Sequence, residues 1–360
     1  MPKRSKNSDG CLNDKSKRKP QNANKNTRAV GRKSMFVGVD AHKKFLQIAM
    51  VNNKGKVILN VRVENRHADI RKFFQTSVPK NVKVVMESSS VWHGLFRYMT
   101  DRLDLDVVLS NPYQTKAIAA STKKTDKVDA QILANLLRGG YINKCYVPNK
   151  KTVEQRQLVR YRHKLVHART SMKNSIHGIL LQKGIKIPGR TFSYKYVESL
   201  KAIKDYRING FLASINLYDQ KITDANMMIY KSARTSRYAG ILKTIPGIAD
   251  FTALTIASEI DSIERFSDPE KLKSYAGLAP SVRNSADMVH HGHITKRGSR
   301  MLRWVLVESI RSHVLHAPKL IFYKRLAKKR GNSKAAAAAK MLKVIYWLLK
   351  DGRDFEQNYS

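Results

Sequence analysis

The hydrophobic and polar positions in the N-terminal third of the chain alternate in short blocks. Five apolar runs of strand length stand between polar segments, and Asn52, Asn53 and Gly55 mark a hairpin turn after the second run. Helical spacing of apolar residues begins near Asp69, near residue 91 and after Asp126. Three consecutive strands followed by alternating helix and strand predict an α/β domain with a mixed sheet. The five runs lie at 36–39, 45–51, 57–63, 82–86 and 107–109.

The middle of the chain has a helical and basic pattern. Apolar residues recur every seven positions from Leu158 to Ile179, which predicts a coiled-coil seam. A second helical stretch from about 196 to 231 completes a helical hairpin arm, whose seam closes either within the chain or against another subunit. Basic side chains on the other faces of the first helix are interpreted as nucleic-acid contacts rather than a merely solvated surface. They are Arg156, Arg160, Arg162, Lys164, Arg169 and Lys173.

The C-terminal third is predicted to be mainly helical. Ile245, Pro246 and Gly247 precede a helix and indicate either a helix-hairpin-helix-like turn that binds phosphate or a plain corner between helices. The polar stretch from Pro280 to Gly298 is predicted to be a long loop, and such loops are often functional. The fold class is therefore α/β plus all-α. The predicted divisions are a basic disordered tail at 1–34, the sheet domain at 35–147, the arm at 148–238 and the C-terminal domain at 239–360.

Charge narrows the possible partners. The chain has 69 Lys and Arg against 27 Asp and Glu, a formal net charge of +42, which indicates a polyanion as partner, either nucleic acid or an anionic membrane surface. Residues 1–34 alone hold eleven basic and two acidic residues, suited to a solubilising tail or to a phosphate-tracking arm. The chain has no apolar run of about eighteen residues, so we expect no membrane span. Cys11 and Cys145 are too few for a disulfide framework, and we expect a cytoplasmic protein.

Four carboxylates stand out in this basic chain. Asp126 and Asp129 are three positions apart, so they share one face of the first turn of their helix. Asp40 ends the first predicted strand and Glu87 ends the fourth, where the ligands of open α/β sheets bind. Two divalent ions about 4 Å apart would offset the mutual repulsion of all four and clamp a phosphodiester. The alternative is that they are ordinary strand-end and helix-start residues.

Six stretches in this order resemble the DEDD transposases of insertion-sequence family one-ten. The resemblance covers about residues 35–350, and the combination is more specific than any single stretch. The stretches are GVDAHK at 38–43, ESS at 87–89, TDKVDA at 125–130, IPG at 245–247, GLAP at 277–280 and GHITKRG at 292–298.

This resemblance implies an N-terminal RuvC-like, RNase H-type domain whose D-E-D-D set is Asp40, Glu87, Asp126 and Asp129. It also implies a C-terminal transposase domain in which Ser285 is the nucleophile and forms a covalent phosphoserine with DNA. The carboxylates are expected to hold Mg²⁺, as two ions, with Mn²⁺ as a substitute. Ala286 stands where glycine usually follows the serine in this family.

The resemblance also implies the partners. A structured noncoding (bridge) RNA is expected to pair with donor and target DNA, while the protein reads backbone shape. The active form is expected to be a homo-oligomer, from dimer to tetramer, in the cytoplasm of a prokaryote and near its nucleoid. Three other interpretations stay open: a DNA invertase of the same architecture without a guide, a RuvC-like Holliday-junction resolvase, and a non-enzymatic nucleic-acid-binding scaffold.

Overall fold

The structure, a computed structural model, describes residues 34–112, 115, 125–285, 288–316 and 333–356. Most of the predicted basic tail, residues 1–33, lies outside the described residues. The chain divides into two compact units, one ending at Val147 and the other beginning at Pro148. Within the described ranges, no helix has the length and apolar character needed to cross a membrane.

The first unit is built on a five-stranded mixed sheet, which confirms the predicted α/β architecture. The strand order is β3-β2-β1-β4-β5. The first three strands form an antiparallel meander, whereas β4 is parallel to β1 and β5 is parallel to β4. The strands are β1 (Met35–Ala41), β2 (Phe45–Asn52), β3 (Val57–Glu64), β4 (Lys83–Glu87) and β5 (Asp106–Ser110).

Helices cover both faces of this sheet. The larger core lies on the face of Val37 and Val39, where α1 (His67–Thr76) and α2 (Trp92–Asp101) contribute apolar side chains such as Ile70 and Met99. The opposite face holds α3 (Asp126–Arg138), which packs on β1 and β2. Since successive residues of a strand point to opposite faces, Gly38 lies beneath α3, between Val37 and Val39.

Gly38 allows α3 to approach the sheet unusually closely. A β-carbon on Gly38 would lie 2.6 Å from the backbone nitrogen of Ala134 and closer still to the carbonyl oxygen of Ala130. Gly38 is in register with Ala49 of β2. Ala49 is in turn paired with Asn60 of β3, whose side chain donates to the carbonyl oxygen of Lys127 at 3.0 Å. Gly38, Ala49 and Asn60 therefore form a row across three strands. The two small residues let α3 approach the sheet, and the Asn60 amide fixes its position along the helix axis.

The second unit is mostly helical, in agreement with the sequence prediction. The long helices α4 and α6 pack along each other, so the predicted seam closes within the chain. Val159 of α4 and Ile229 of α6 belong to the same core as the later helices. A separate domain boundary between residues 238 and 239 stays a prediction. The helices are α4 (Lys150–Gln182), α5 (Tyr194–Ala202), α6 (Tyr206–Arg234), α7 (Arg237–Lys243), α8 (Asp250–Ile260), α9 (Pro269–Tyr275), α10 (Arg300–His316) and α11 (Ser333–Asp351).

The second helical stretch, predicted from about 196 to 231, consists of two helices, α5 and α6. The chain breaks between α5 and α6, where Lys204 has a φ of 54°. Asp205 caps α6 by accepting from the backbone nitrogen of Arg207 at 2.9 Å. Hydrogen bonds from Arg207 and Lys183 hold the pKa of the Asp205 carboxyl well below its ordinary value. A charged cap bonded to the end of α4 therefore starts a new helix.

The predicted polar loop between Pro280 and Gly298 is largely a β-hairpin. Strands β6 (Pro280–Ser285) and β7 (Met288–Ile294) pair antiparallel, with Val282 opposite His291. The hairpin satisfies backbone groups that a loop would leave to solvent. Polar side chains at most of its positions conceal this strand pairing in the sequence.

The turn at Pro246–Gly247 packs against α10. Gly247 has a φ of 82°, and a β-carbon there would meet the backbone of Ser312 and His313 at 2.6–2.9 Å. The Nδ1 nitrogen of His313 lies 2.7 Å from the carbonyl oxygen of Pro246, and burial lowers the pKa of this histidine. This packing explains the glycine as a corner between helices, and phosphate binding by the turn stays a prediction.

Substitution of Gly38 tests the close packing of α3. Gly38→Ala is expected to destabilise the first unit by about 1–3 kcal/mol, because the new methyl group overlaps backbone atoms that have little room to move. Hydrogen exchange of the α3 amides, together with thermal unfolding of the full chain, measures this effect.

Gly94→Ala is the matched control, since in the described ranges no atom beyond its own helix turn and chain neighbours lies within 4 Å of a β-carbon there. The control is expected to gain as much as about 1 kcal/mol from helix propensity. Wild-type protection of α3 in Gly38→Ala would contradict the proposed packing.

Candidate active site

Asp40 and Glu87 stand at the carboxyl ends of neighbouring strands. Val39 is in register with Met86, so Asp40 and Glu87 follow at the same level of β1 and β4, roughly 4.8 Å apart between strands. Asp40 comes two residues after Gly38 and points to the same face, the one that α3 covers. Its side chain is only 14% exposed. The sheet thus places one half-buried carboxylate beneath the start of a helix.

The first turn of α3 brings the second pair of carboxylates to this edge. Thr125 caps the helix by accepting from the backbone nitrogen of Val128 at 3.3 Å. Asp126 and Asp129 lie in the first turn, where unpaired backbone N–H groups favour negative charge. The close contact at Gly38, one turn further along, determines how near this turn comes to Asp40.

His42 joins Asp40 and Asp126. Its Nε2 nitrogen lies 3.1 Å from Oδ2 of Asp40 and 3.5 Å from Oδ1 of Asp126. One ligand atom from each of the three side chains lies within 4.8 Å of the other two. Asp129 and Glu87 stand outside this three-residue set in the described part of the chain. The structure therefore brings together two of the four predicted carboxylates, with Glu87 beside Asp40 in the sheet.

The surroundings of Asp40 disfavour the ionised form of its carboxyl group. Burial raises its pKa above the ordinary value, and the negative charges of Asp126 and Asp129 raise it further. His42 acts in the opposite direction through its charge and its hydrogen bond. Repulsion between carboxylates of this kind is relieved by a bound cation. The arrangement is therefore compatible with a divalent metal ion.

Ser285 lies in the second unit, as the last residue of β6. Its backbone is paired with Met288 at the start of β7, next to the hairpin tip. Residues 286 and 287 lie outside the described residues, so the expectation about Ala286 stays a prediction. The structure thus places Ser285 at the end of a strand.

The base of this hairpin is closely packed against the helical core. Gly277 and Gly298 have φ values of 67° and 96°. A β-carbon on Gly277 would meet the carbonyl oxygen of Arg297, and one on Gly298 would meet that of Tyr275. The backbone nitrogen of Thr295 also donates across the base of the hairpin, to the carbonyl oxygen of Ala279 at 2.9 Å. The two glycine-containing motifs at 277–280 and 292–298 therefore pack against each other at the base of the hairpin.

Sequence reasoning assigned no function to His42 or Gly38. A usable signal was present for His42, because it follows Asp40 by only two positions, directly after the end of β1. The requirement for Gly38 depends on how closely α3 approaches the sheet, and that distance becomes visible only in three dimensions.

Fold and site together define a two-unit protein with a cation-compatible acidic cluster in an α/β unit and a mostly helical second unit. A family model for DEDD transposases of the IS110 type matches residues 37–185. A second model, for transposases of the IS116/IS110/IS902 family, matches residues 239–324. The chain belongs to this family and is an insertion-sequence transposase.

Individual relatives agree over most of the chain. The transposase for insertion sequence element IS1111A of Coxiella burnetii is 27% identical over 339 residues, or 87% of this chain and 89% of that protein. The putative transposase y4qE of Sinorhizobium fredii is 26% identical over 76% of this chain and 70% of its own length. A probable family 20 transposase of Pseudomonas aeruginosa is 24% identical over 77% of this chain. Membership of this family makes DNA the natural substrate class and DNA cutting and rejoining the activity expected of the enzyme.

Replacing Asp40 tests the charge repulsion in the cluster. In the presence of a chelator, Asp40→Asn is expected to raise the midpoint of thermal unfolding near neutral pH. A carboxyl whose pKa rises on folding costs stability at any pH above that raised pKa, and the cost vanishes below the unfolded pKa. The advantage of the variant should therefore shrink as the pH falls toward ~3.9.

Asp69→Asn is the matched control, because Asp69 is exposed and paired with Arg66 at 2.6 Å. Asp69→Asn should lower the free energy of unfolding by no more than about 0.5 kcal/mol. An Asp40→Asn protein less stable than the control at neutral pH would refute the repulsion.

Proposed function

We propose that this transposase cuts and rejoins DNA through Ser285, with Asp40, Glu87, Asp126 and Asp129 as the metal-binding set of a RuvC-like domain. The observation that carries the proposal is the convergence of Asp40 and Asp126, 86 positions apart in the sequence, at one edge of the sheet. The RuvC-like, RNase H-type assignment is supported by a three-strand meander with two parallel strands beyond β1.

The carboxylates are proposed to hold Mg²⁺, as two ions, with Mn²⁺ as a substitute. Bound there, such ions would stabilise the negative charge that develops on the attacking and leaving oxygens of a phosphodiester. The chain supplies the oxygen ligands that Mg²⁺ prefers, and the half-buried position of Asp40 limits competition from water. The start of α3 also presents backbone N–H groups to the same edge of the sheet.

The proposed reaction exchanges one phosphodiester for another. The hydroxyl oxygen of Ser285 attacks the phosphorus of a DNA strand and gives up its proton, and the bond from phosphorus to the departing strand breaks. The departing oxygen takes up a proton, which leaves the phosphate joined to Ser285. Attack by a hydroxyl group of another strand reverses these steps and frees the serine. The covalent intermediate conserves the ester bond, which suits recombination better than hydrolysis.

The side-chain contacts of the arm support a particular location for its proposed nucleic-acid surface. All four of the arginines interpreted as phosphate contacts make internal bonds instead. Arg162 and Arg169 bond to Asn226 and Asp219 of α6. Arg156 donates to the carbonyl oxygen of Ser258 at 2.7 Å, and Arg160 pairs with the buried carboxylate of Glu259 at 2.6 Å. These bonds attach α4 to α8, so the arginines contribute to the stability of the second unit. The nucleic-acid surface of the arm is therefore proposed to lie elsewhere.

The segment 183–207, called the arm tip here, has the required composition. It holds seven Lys and Arg against two acidic residues, and both acidic side chains are paired within the tip. The side chains of Tyr194 and Tyr206 are 82% and 83% exposed. Exposed aromatic rings among cations suit unpaired bases, which stack on them. We assign the arm tip to the nucleic-acid surface of the transposase.

The proposed partners are donor DNA, target DNA and a structured bridge RNA that pairs with both. A net charge of +42 supports more than one nucleic-acid strand at a time. A homo-oligomer, from dimer to tetramer, is proposed as the active form, so that several strands are cut in one complex. A DNA invertase of the same architecture would need no guide, and a Holliday-junction resolvase would use the carboxylates and water without Ser285.

Trapping of covalent protein–DNA adducts tests the role of Ser285. With the element's DNA ends, its noncoding RNA and Mg²⁺, the wild-type protein is expected to form an adduct that survives denaturing electrophoresis. Ser285→Ala should lose the adduct at least ~100-fold, because the attacking oxygen is gone. Ser281→Ala, in the same strand, is the matched control and should retain it.

Asp126→Ala separates the remaining interpretations in the same assay. It should abolish adduct formation while DNA binding persists, whereas a non-enzymatic scaffold would keep all of its measurable activity. Strand cleavage that persists in Ser285→Ala would favour the resolvase and contradict the phosphoserine.

Sequencing of RNA that copurifies with the full-length protein tests the guide. The expected result is one structured RNA from the noncoding part of the element, enriched at least ~10-fold over cellular transcripts, because base pairing and not the protein would read sequence. The arm-tip variant Tyr194→Ala/Tyr206→Ala serves for comparison and should retain less of it. Random cellular fragments in the wild-type sample would leave the invertase as the better description.

A further inference from the structure

His42 is held rigidly at the edge of the acidic cluster. Its backbone nitrogen donates to the carbonyl oxygen of Phe45 at 2.9 Å, and its carbonyl oxygen accepts from the side chain of Asn65 at 2.8 Å. The imidazole stacks on the ring of Phe45 with centroids 4.7 Å apart, and the guanidinium of Arg62 covers that ring at 3.6 Å. The turn between β1 and β2 therefore fixes both the position and the plane of the imidazole.

The distances around Nε2 fit a shared cation. Two ligands about 2.1 Å from one ion and at right angles to each other lie about 3 Å apart. The Nε2 nitrogen of His42 is 3.1 Å from Asp40 and 3.5 Å from Asp126, close to this separation. The His42 side chain is 39% exposed, so this edge of the cluster is open to solvent. The same nitrogen–oxygen distance also fits a hydrogen bond, and the two roles have different consequences.

We infer that Nε2 of His42 is a metal ligand, which turns the predicted all-oxygen site into a mixed nitrogen and oxygen site. This inference rests on the proposed metal site and adds a ligand outside the D-E-D-D set. Imidazole nitrogen suits transition metals better than Mg²⁺, and carboxylates accept both. The site is therefore expected to favour Mn²⁺ over Mg²⁺, and His42 is the residue that sets this preference.

Pulsed electron paramagnetic resonance of Mn²⁺ bound to the full-length protein tests the inference. The wild type is expected to show the ¹⁴N modulation of a coordinated imidazole. His42→Ala and His42→Gln should lose this modulation and bind Mn²⁺ about 10-fold more weakly. A correspondingly lower concentration of Mg²⁺ should then displace the bound Mn²⁺. Circular dichroism identifies whichever of the two variants keeps the fold, and that variant is the one compared.

His67→Ala is the matched control, because His67 belongs to the same unit but stacks on Tyr98 with centroids 3.9 Å apart. It should retain both the ¹⁴N modulation and the wild-type preference for Mn²⁺.

The outcomes separate this inference from the proposed function. Mn²⁺ bound by the wild type without ¹⁴N modulation would overturn the inference, leave His42 as a hydrogen-bond partner of Asp40 and keep the metal site. Modulation that persists without His42 would overturn it as well, because another histidine would then supply the nitrogen. If neither Mn²⁺ nor Mg²⁺ binds, the proposed metal site itself fails.

Discussion

The contact between α3 and β1 at Gly38 is the constraint on which the rest of the site depends. A helix that rests directly on strand backbone is closer to the sheet than side-chain packing permits, and the absence of a β-carbon makes this possible. Asn60 fixes the same helix along its axis through the carbonyl oxygen of Lys127. With height and register set, the first turn of α3 has a defined place over the end of β1, and Asp126 reaches Asp40 and His42.

Repulsion between the carboxylates of the site lowers the folding stability of the first unit, and the packing of the rest of the unit offsets this cost. Burial and two neighbouring charges disfavour the ionised form of Asp40, and perturbed groups of this kind are concentrated at functional sites. The hydrophobic core under α1 and α2, together with the paired strands, stabilises the unit enough to hold the unfavourable Asp40 carboxylate. A cation bound in the cluster would remove this repulsion, which links the energetics of the fold to the proposed reaction on a charged phosphate backbone.

The strands and helices of the first unit could be predicted from the sequence, because buried strands and amphipathic helices have clear hydrophobic periods. It failed at the β6–β7 hairpin, whose polar residues lack such a period. It also gave no position for the break between α5 and α6, where Asp205 pairs with Lys183, more than twenty positions away. The carboxylates could be predicted from their places at strand ends and a helix start. The role of Gly38 could not, since it follows from the closeness of two backbones. For His42 the signal was its place two positions after Asp40. The role of Ser285 stays a proposal.

The central claim is that the Gly38 contact creates one cation pocket from residues distant in sequence. Anomalous diffraction from crystals of the full-length protein soaked in Mn²⁺ tests it most directly. We expect an anomalous peak within about 2.3 Å of an oxygen of Asp40 and of Asp126, with Nε2 of His42 in the same coordination sphere. Ordered Mn²⁺ elsewhere on the protein, with Asp40 and Asp126 well defined and no peak between them, would contradict the claim.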